Sequence, residues 1–267
     1  MAFITDIKRF AVHDGDGIRT TVFFKGCPMK CIWCHNPETI SPKKELALFS
    51  HKCTLCGRCV NVCPLHKIEN GKHTVNRADC NFCGKCADVC HNGALEIVGK
   101  EMSTDQICEI LFKDKAFYEE SGGGITLSGG ECLMQPEACA EILEKCKAES
   151  ISTAVDTCGF VSKAALDAVI PFTDVFLYDI KAYDEEVHIK YTGKSNRLIL
   201  DNLRYLDSLG KCIEIRIPCV PGCNAGQLDK IYGFLSEIKN IIRVRVLPYH
   251  NYAGSKYDAL GMTNTMP

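Results

Sequence analysis

Residues 27–34 read CPMKCIWC, and this stretch spaces three cysteines as C-x3-C-x2-C. Three thiolates at this spacing can hold a [4Fe–4S] cube at three of its irons and leave the fourth iron open. An open coordination position is what a catalytic metal site requires. On spacing alone, the alternative is a structural group of reduced cysteines, so the surrounding sequence must decide between the two.

Two further cysteine runs follow, both spaced C-x2-C-x2-C-x3-C as in bacterial two-cluster ferredoxins. The first ends at Cys63 before Pro64, whereas the second ends at Cys90 before His91. Because the usual proline is not a ligand, His91 should change the local backbone without abolishing a cluster. In such pairs the fourth cysteine of each run binds the other cluster. The expected ligand sets are Cys53, Cys56, Cys59 and Cys90 for a first [4Fe–4S] cluster, and Cys80, Cys83, Cys86 and Cys63 for a second.

Residues 50–98 form an internal repeat, because the two runs lie about 27 residues apart. Each half predicts a ligand loop, a turn of helix and a short strand. Neither half can bury enough apolar surface alone, so bound clusters must supply the core. Zinc is the alternative metal, although zinc ribbons rarely need four cysteines in each of two such tight runs. The sequence therefore predicts residues 50–98 as an insert between two parts of one larger domain, residues 1–49 and 99–267.

Strand-like and helix-like stretches alternate outside the insert. Strands are predicted at residues 20–24, 124–128, 151–156, 175–180, 212–217 and 242–247, with Pro218 and Pro248 ending the last two. Helices are predicted at residues 103–119, 136–149, 162–169, 196–209 and 227–238, the first with a capping box of Ser103 and Gln106. This alternation predicts a parallel sheet with helices outside. Six units are fewer than a closed eightfold barrel needs, so the fold class is α/β with a partial (β/α)6 TIM-like barrel.

Charge and composition exclude several classes of protein. The 267 residues carry 31 Lys and Arg against 33 Asp and Glu, a net charge of −2, which gives no case for nucleic acid or an anionic membrane. No apolar run reaches the roughly 18 residues of a membrane span, and the first ten residues lack a signal peptide's apolar run. The expected location is the cytoplasm, where nineteen cysteines indicate metal binding rather than disulfides.

Residues 26–38, GCPMKCIWCHNPE, resemble the cluster loop of radical S-adenosylmethionine enzymes. More narrowly, they resemble the glycyl radical enzyme activating enzymes, the family of pyruvate formate-lyase activase. Further matches follow in order along almost the whole chain: DGDGIR at 14–19, SGGE at 128–131, DTCG at 156–159, D-x-K at 179–181, HIKYTG at 188–193 and LPYH at 247–250. Asp16 departs from the family's usual DGPGIR. The ferredoxin-like insert is typical of the larger members of this family.

The resemblance implies a radical SAM barrel with three [4Fe–4S] clusters, one at Cys27, Cys31 and Cys34 and two in the insert. The amine and carboxylate of S-adenosylmethionine would chelate the open iron. One electron would then split the sulfonium–C5′ bond and give methionine and a 5′-deoxyadenosyl radical. The clusters carry this chemistry, while the protein supplies orientation and excludes water.

The resemblance also assigns residues to the bound S-adenosylmethionine. Gly129, Gly130 and Glu131 are expected at the methionyl amine, although a double glycine alone indicates a tight turn. Trp33, the only tryptophan, and His35 are expected near the adenine. The further expected contacts are Cys34, Asp156, Asp179, Ile180, Lys181 and His250, and Lys181 joins Cys27, Cys31 and Cys34 in the catalytic group.

Three of these expected contacts carry charges that suit different parts of the ligand. The Lys181 ammonium can pair with the ligand's carboxylate. The carboxylates of Asp156 and Asp179 suit the ribose, the amine or a bound monovalent cation. Both follow predicted parallel strands, whose carboxyl ends carry the ligand site in such folds. Any one of these residues, taken alone, is more simply explained as a member of a surface ion pair.

The resemblance implies that the substrate is a glycine in a partner glycyl radical enzyme of the lyase, dehydratase or decarboxylase type. The radical would remove one Cα hydrogen from that glycine, and Asp16 within residues 13–19 is a candidate for gripping the partner. A flavodoxin or ferredoxin would supply electrons, and the activase is expected to be a monomer. The alternatives are a radical SAM enzyme that modifies another peptide or a small molecule, and an electron-transfer protein with a ferredoxin module. The last leaves the three-cysteine motif without a use.

Overall fold

The structure, a computed structural model, describes residues 1–266. Over these residues the chain forms twelve strands: β1 (Ala2–Ala11), β2 (Arg19–Phe24), β3 (Glu45–Leu48), β4 (His66–Glu69), β5 (Lys72–Val75), β6 (Leu95–Val98), β7 (Lys100–Met102), β8 (Gly124–Gly129), β9 (Ser152–Thr157), β10 (Val175–Asp179), β11 (Cys212–Cys219) and β12 (Ile241–Pro248). Eight of them form the main sheet, in the order β12-β11-β10-β9-β8-β2-β1-β7. Neighbouring strands from β2 to β12 are parallel, which confirms the six predicted parallel strands.

Helices connect the parallel strands and pack on the sheet. The α-helices are α1 (Arg58–Val62), α2 (Lys85–Asp88), α3 (Thr104–Phe112), α4 (Lys115–Ser121), α5 (Pro136–Ala148), α6 (Lys163–Val169), α7 (Glu185–Thr192), α8 (Arg197–Ser208), α9 (Leu228–Leu235) and α10 (Gly254–Leu260). The capping box of Ser103 and Gln106 is confirmed at the start of α3. Buried side chains of the sheet and of the packed helices form one continuous hydrophobic core. No helix among residues 1–266 is both long and apolar enough to cross a membrane.

The helix predicted over residues 103–119 is wrong as a single element, because it is interrupted between α3 and α4. Asp114 lies at this break, and its side chain is buried. Its carboxylate pairs with Arg9 and accepts a 2.7 Å hydrogen bond from the Thr20 hydroxyl. A buried carboxylate must be paired, and these partners lie on β1 and β2. The chain therefore leaves helical geometry where Asp114 turns toward the sheet.

Pro218 does not end β11, contrary to the prediction, since the strand continues to Cys219. The carbonyl of Arg216 accepts a hydrogen bond from the Ile180 amide, so Arg216 faces β10. Pro218, two residues later, faces the same side. There β10 has already ended at Asp179, opposite Arg216. The missing N–H of the proline therefore removes no bond from the sheet.

β1 was not predicted, although it is ten residues long. It pairs antiparallel with β2 and β7 at the far edge of the sheet. Its register with β2 shifts twice, between Ile4 and Asp6 and between Lys8 and Ala11. Such irregularities break the period-two pattern by which a strand is recognised in a sequence. The helices α7 and α10 were also not predicted.

The insert is built from small elements, as its repeat predicted. β4 and β5 form one hairpin, while β6 pairs with β3. Leu46, Leu48 and Leu95 share a small core with Cys59 and Cys86. Because β3 precedes residue 50, this core includes residues from the chain segment before the insert. A core of this size leaves much of the insert's stability to bound clusters.

Candidate active site

One cavity of about 570 Å³ opens at the carboxyl ends of the parallel strands. Most of the residues expected at the cofactor line it together: Cys27, Cys31, Trp33, Cys34, His35, Gly129, Gly130, Asp156, Asp179, Lys181 and His250. This is the end of a parallel sheet at which α/β folds place their ligands. The structure therefore brings residues that are more than two hundred positions apart in the sequence to one site.

Backbone hydrogen bonds hold the cysteine loop, residues 26–34, over this cavity. The amides of Lys30 and Ile32 donate to the last carbonyls of α7, at 2.9 and 3.0 Å. The Tyr257 hydroxyl, on α10, donates to the carbonyl of Cys34 at 3.0 Å. The two helices that were not predicted from the sequence thus support the loop with the three cysteines.

The three cysteines differ in their surroundings. Burial raises the pKa of Cys31 to about 12 and that of Cys34 to about 11. A hydrogen bond with Cys158 lowers the pKa of Cys27. All nineteen cysteines in the described part of the chain are free thiols. Because iron binds the thiolate, assembly of a cluster here must release protons from buried thiols.

Gly129 and Gly130 pack the end of β8 against the cysteine loop. Gly129 has a φ of +124°, which other residues rarely adopt, and a Cβ there would lie 2.2 Å from the Phe24 carbonyl. A Cβ on Gly130 would lie 2.4 Å from the carbonyl oxygen of Gly26. The two glycines are therefore required for close backbone contact, in addition to any approach of a ligand.

Glu131 and Ile180 do not line the cavity, although both were expected to contact the cofactor. The Glu131 side chain is fully buried, and burial raises the pKa of its carboxyl. It accepts hydrogen bonds from the Thr157 hydroxyl at 2.9 Å and from the Cys158 amide at 2.7 Å. Glu131 thus joins the ends of β8 and β9 beneath the site. A sequence pattern does not show that its carboxylate points away from the ligand.

Asp156 and Arg216 form a mostly buried charged pair on the cavity wall. Their side chains approach to 3.3 Å, and the Ser128 hydroxyl donates to Asp156 at 2.6 Å. Burial raises the pKa of Asp156 to about 6, against the opposing effect of the Arg216 guanidinium. Arg216 was not among the residues expected to contact the cofactor, although a charged residue within the apolar strand IEIRIP is itself a signal of a specific role.

Lys181 and Asp179 form a second buried pair, with Nζ and Oδ2 at 2.5 Å. Burial opposes the charge of Lys181, but Asp179 and the nearby Cys31 and Cys158 outweigh it and raise the pKa of the ammonium. A fixed positive charge therefore lies beside the cysteine thiols. It can pair with an anionic ligand group or offset the charge of bound thiolates.

Aromatic rings cover another side of the cavity. His35 stacks on His250, with ring centroids 4.1 Å apart and 8° between their planes. His35 Nε2 also lies 2.8 Å from the carbonyl oxygen of His250. Trp33 is mostly buried and contacts Tyr191, with ring centroids 5.9 Å apart. The stacked histidine pair and Trp33 line the cavity together, and their rings suit a planar base.

The eight cysteines of the insert line two separate cavities. One is lined by Cys53, Cys56, Cys59 and Cys90, and the other by Cys63, Cys80, Cys83 and Cys86. Each cavity thus takes three cysteines from one run and the last cysteine of the other run. This is the arrangement in which four thiolates surround one cube in two-cluster ferredoxins.

Residues 12–18, here named the closing loop, join β1 to β2. The loop reaches β12, which lies at the opposite edge of the six parallel strands. Asp16 forms ion pairs with Arg243 and Arg245 of β12, at 2.6 and 3.5 Å. The same arginines pair with the buried Glu214, at 3.3 and 2.9 Å. Side-chain charge therefore bridges the open side of the partial barrel. His13 of this loop lines the active-site cavity.

Comparisons with known proteins define the class of the chain. The family profile of the Radical SAM superfamily matches residues 76–235, and that of the 4Fe-4S dicluster domain matches residues 47–91. The crystal structure of Streptococcus suis SuiB bound to precursor peptide SuiA has a similar fold, with a TM-score of 0.52 and 15% identity over 84% of this chain and 37% of that chain. The chain is therefore a radical SAM protein that also carries a 4Fe-4S dicluster domain.

Curated relatives narrow the class to one family. The trans-4-hydroxy-L-proline dehydratase activating enzyme of Clostridioides difficile is 46% identical over 96% of this chain and 87% of its own length. The choline trimethylamine-lyase activating enzyme of Oleidesulfovibrio alaskensis is 39% identical, with coverages of 97% and 87%. The benzylsuccinate synthase activating enzyme of Thauera aromatica is 39% identical, with coverages of 97% and 81%. The chain belongs to the glycyl radical enzyme activating enzymes. Of the three functions expected from the sequence, membership of this family supports the activation of a glycyl radical enzyme.

Proposed function

We propose that the chain cleaves S-adenosylmethionine with one electron into methionine and a 5′-deoxyadenosyl radical. The radical takes a Cα hydrogen from a glycine of a partner glycyl radical enzyme. The products are 5′-deoxyadenosine and a glycyl radical on the partner. The observation that carries this proposal is the shared cavity: Cys27, Cys31 and Cys34 lie around the same space as the buried Lys181–Asp179 pair.

Three thiols without disulfide partners, convergent on one cavity, fit a [4Fe–4S] cluster at Cys27, Cys31 and Cys34. When bound, such a cluster supplies the electron for the cleavage. Lys181 holds a positive charge beside the thiols and binds the ligand's carboxylate, oriented by its short contact with Asp179. The backbone around Gly130 faces the cavity beside the cysteine loop and supplies polar groups for the methionyl amine.

The remainder of the cavity is proposed to hold the nucleoside. His35, stacked on His250, and the edge of Trp33 contact the adenine. Asp156, with its pKa near 6, accepts a hydrogen bond from a ribose hydroxyl and is kept in place by Arg216 and Ser128. Asp156 and Asp179 are also proposed as ligands of a monovalent cation, since carboxylate oxygens suit hard cations.

The insert is proposed to hold two further [4Fe–4S] clusters in its two cysteine cavities. Clusters held there would relay electrons from a flavodoxin or ferredoxin to a cluster held by Cys27, Cys31 and Cys34. A cytoplasmic location and a monomeric state complete the proposal. The near-neutral charge gives no electrostatic case for a nucleic-acid partner.

Anaerobic reconstitution tests the proposed function. We expect about twelve irons per chain, four for each of three cubes. After reduction and addition of S-adenosylmethionine, 5′-deoxyadenosine should form. A glycyl radical signal should then appear by electron paramagnetic resonance when a glycyl radical enzyme is added. Iron at the full count without any 5′-deoxyadenosine would contradict the proposal.

Removal of iron should loosen the insert and leave the barrel folded. The insert's small core of three leucines and two cysteines cannot compensate for lost clusters. We expect fast amide hydrogen exchange across residues 50–98 in the iron-free protein, and protection there after reconstitution. The helix α5, whose buried side chains belong to the main core, serves as the internal reference. Equal protection of the insert with and without iron would argue against cluster-dependent folding.

Asp16→Ala should separate cleavage of S-adenosylmethionine from activation of the partner. Asp16 is exposed and its ion pairs are solvated, so the variant should lose less than about 1 kcal/mol of stability. We expect 5′-deoxyadenosine formation without the partner to stay within about twofold of wild type, while the yield of partner glycyl radical falls. The two yields are measured on the same reduced sample.

The matched control is Asp105→Ala. Asp105 is also an exposed aspartate in an ion pair, but its partner is Lys145 and both residues lie on the outer helices. This variant should change neither yield. A normal glycyl radical yield in the Asp16→Ala protein would show that the closing loop does not take part in gripping the partner.

A further inference from the structure

Two histidines, His66 and His73, lie between the two cysteine cavities of the insert. They stand on β4 and β5, and His66 pairs with Val75, two residues beyond His73, so both side chains share one face of the hairpin. Only 2% of His66 and 8% of His73 are exposed. His66 Nδ1 lies 2.9 Å from His73 Nε2, a distance typical of a hydrogen bond. No step of the proposed function uses either residue.

Each histidine contacts a different cavity. The Nδ1 atom of His73 lies 3.3 Å from the Cys53 sulfur, and its Nε2 atom lies 3.6 Å from the Cys59 sulfur. Both cysteines belong to the set proposed for the first cluster. His66 lines the cavity of the second set. Its buried Nε2 atom has no hydrogen-bond partner among the described residues.

A ligating thiolate limits which ring nitrogens of His66 and His73 can carry a hydrogen. A thiolate bound to iron can accept a hydrogen bond but cannot donate one. His73 Nδ1 is the ring nitrogen nearer to a ligand sulfur, at 3.3 Å against 3.6 Å for Nε2, so we assign it the hydrogen that points to Cys53. His73 Nε2 is then an acceptor and takes the Nδ1 hydrogen of His66. In this arrangement each histidine holds one ring hydrogen.

Backbone amides lie beside sulfurs in both cysteine sets, and His73 is one difference between the sets. The Ala94 amide lies 3.2 Å from the sulfur of Cys90 in the first set. The Phe82 amide lies 3.4 Å from the sulfur of Cys80 in the second. Among residues 1–266, a side-chain N–H lies beside a sulfur only in the first set, where His73 contacts Cys53. Hydrogen bonds to the sulfurs are a main determinant of a cluster's reduction potential.

We propose that His73, oriented by His66, is a positioning residue that raises the reduction potential of the first insert cluster above that of the second. An N–H···S bond withdraws charge from the ligand and stabilises the reduced cluster, which carries one more negative charge. The two clusters of the insert are then electrochemically distinct, and the first is the easier to reduce. This inference rests on the two clusters assigned to the insert under the proposed function.

A redox titration of the full reconstituted chain, followed by electron paramagnetic resonance, tests the inference. The site cluster is identified first, because its signal changes when S-adenosylmethionine is added. His73→Leu should lower the potential of one remaining cluster so that its reduced-to-oxidised ratio falls about tenfold at a fixed potential, which is about 59 mV for one electron. The other cluster should keep its potential. His73→Asn, whose amide nitrogen can take the place of Nδ1, should restore most of the shift.

The control is His51→Leu, at an exposed histidine of the insert that was given no role, and it should shift neither potential. Unchanged potentials in His73→Leu with a full iron count would overturn the inference, as would an equal shift of both clusters. If His73→Leu binds less iron, His66→Leu takes its place. A smaller shift of the same single cluster then supports the inference, and no shift refutes it. About four irons in the wild-type chain would instead refute the insert clusters themselves, and the inference with them.

Discussion

Cys31→Ala should abolish formation of 5′-deoxyadenosine and leave the insert loaded with iron. Loss of an outer partner of a metal ligand already costs about 10–100-fold, and Cys31 is proposed as a direct ligand, so we expect a loss of more than about 100-fold. The iron content should fall from about twelve to about eight per chain, because one cube of four is lost. Both quantities are measured on the same anaerobic sample, by chromatography of the nucleoside and by an iron assay.

Cys212→Ala is the matched control, since Cys212 is an exposed cysteine at the start of β11 and lies outside all three proposed clusters. It should retain both the iron count and the cleavage rate. A Cys31→Ala protein that cleaves S-adenosylmethionine at the wild-type rate would remove Cys31 from the proposed site. The insert's proposed clusters would be unaffected by that result.

Gly130→Ala should weaken both the fold and the binding of S-adenosylmethionine. The added Cβ would lie 2.4 Å from the Gly26 carbonyl oxygen and 2.7 Å from that of Thr39, and neither backbone atom can move as a flexible side chain can. Relief of this clash must displace the cysteine loop, which begins at Gly26. We expect a loss of about 1–3 kcal/mol in the free energy of unfolding, as for other overpacked sites. The 5′-deoxyadenosine yield should fall with it.

Gly233→Ala makes the same chemical change where space allows it. Gly233 lies within α9, and a Cβ there would meet nothing within 4 Å. Alanine is the better helix former, so the variant should gain roughly 0.5–1 kcal/mol. Thermal unfolding followed by circular dichroism distinguishes the two variants. If Gly130→Ala were as stable as wild type and bound S-adenosylmethionine normally, close packing of β8 against the cysteine loop would not be required.

The parallel sheet could be predicted from the sequence because its signals are local. Each of the six strands is a short run rich in apolar residues, and five predicted helices alternate with them. The signals that failed depend on distant partners. Asp114 interrupts a helix because Arg9 and Thr20 lie beside it in space. Pro218 is tolerated in a strand because the neighbouring strand has already ended.

The site could be predicted where a residue's type alone limits its role. Clustered cysteines have few other uses in a reducing compartment, and the structure brings them together in the groups that their spacing indicated. Glu131 shows the limit of this reasoning, since a motif gives the residue but not the direction of its side chain. The sequence does not single out His66 and His73. Their contact depends on the register of the β4–β5 hairpin, which places one ring beside the other.

The ion pairs between the closing loop and β12 make the strength of this contact depend on the salt concentration of the solution. Asp16 is well exposed, so its attraction to Arg243 and Arg245 is weakened by the surrounding water and decreases further at high salt. Exposed pairs of this kind contribute about 0–1 kcal/mol each, which is close to thermal energy. The contact between the closing loop and β12 therefore includes ion pairs that solvent and other charged groups can reach. Ions or acidic groups on a bound protein can compete for the same arginines.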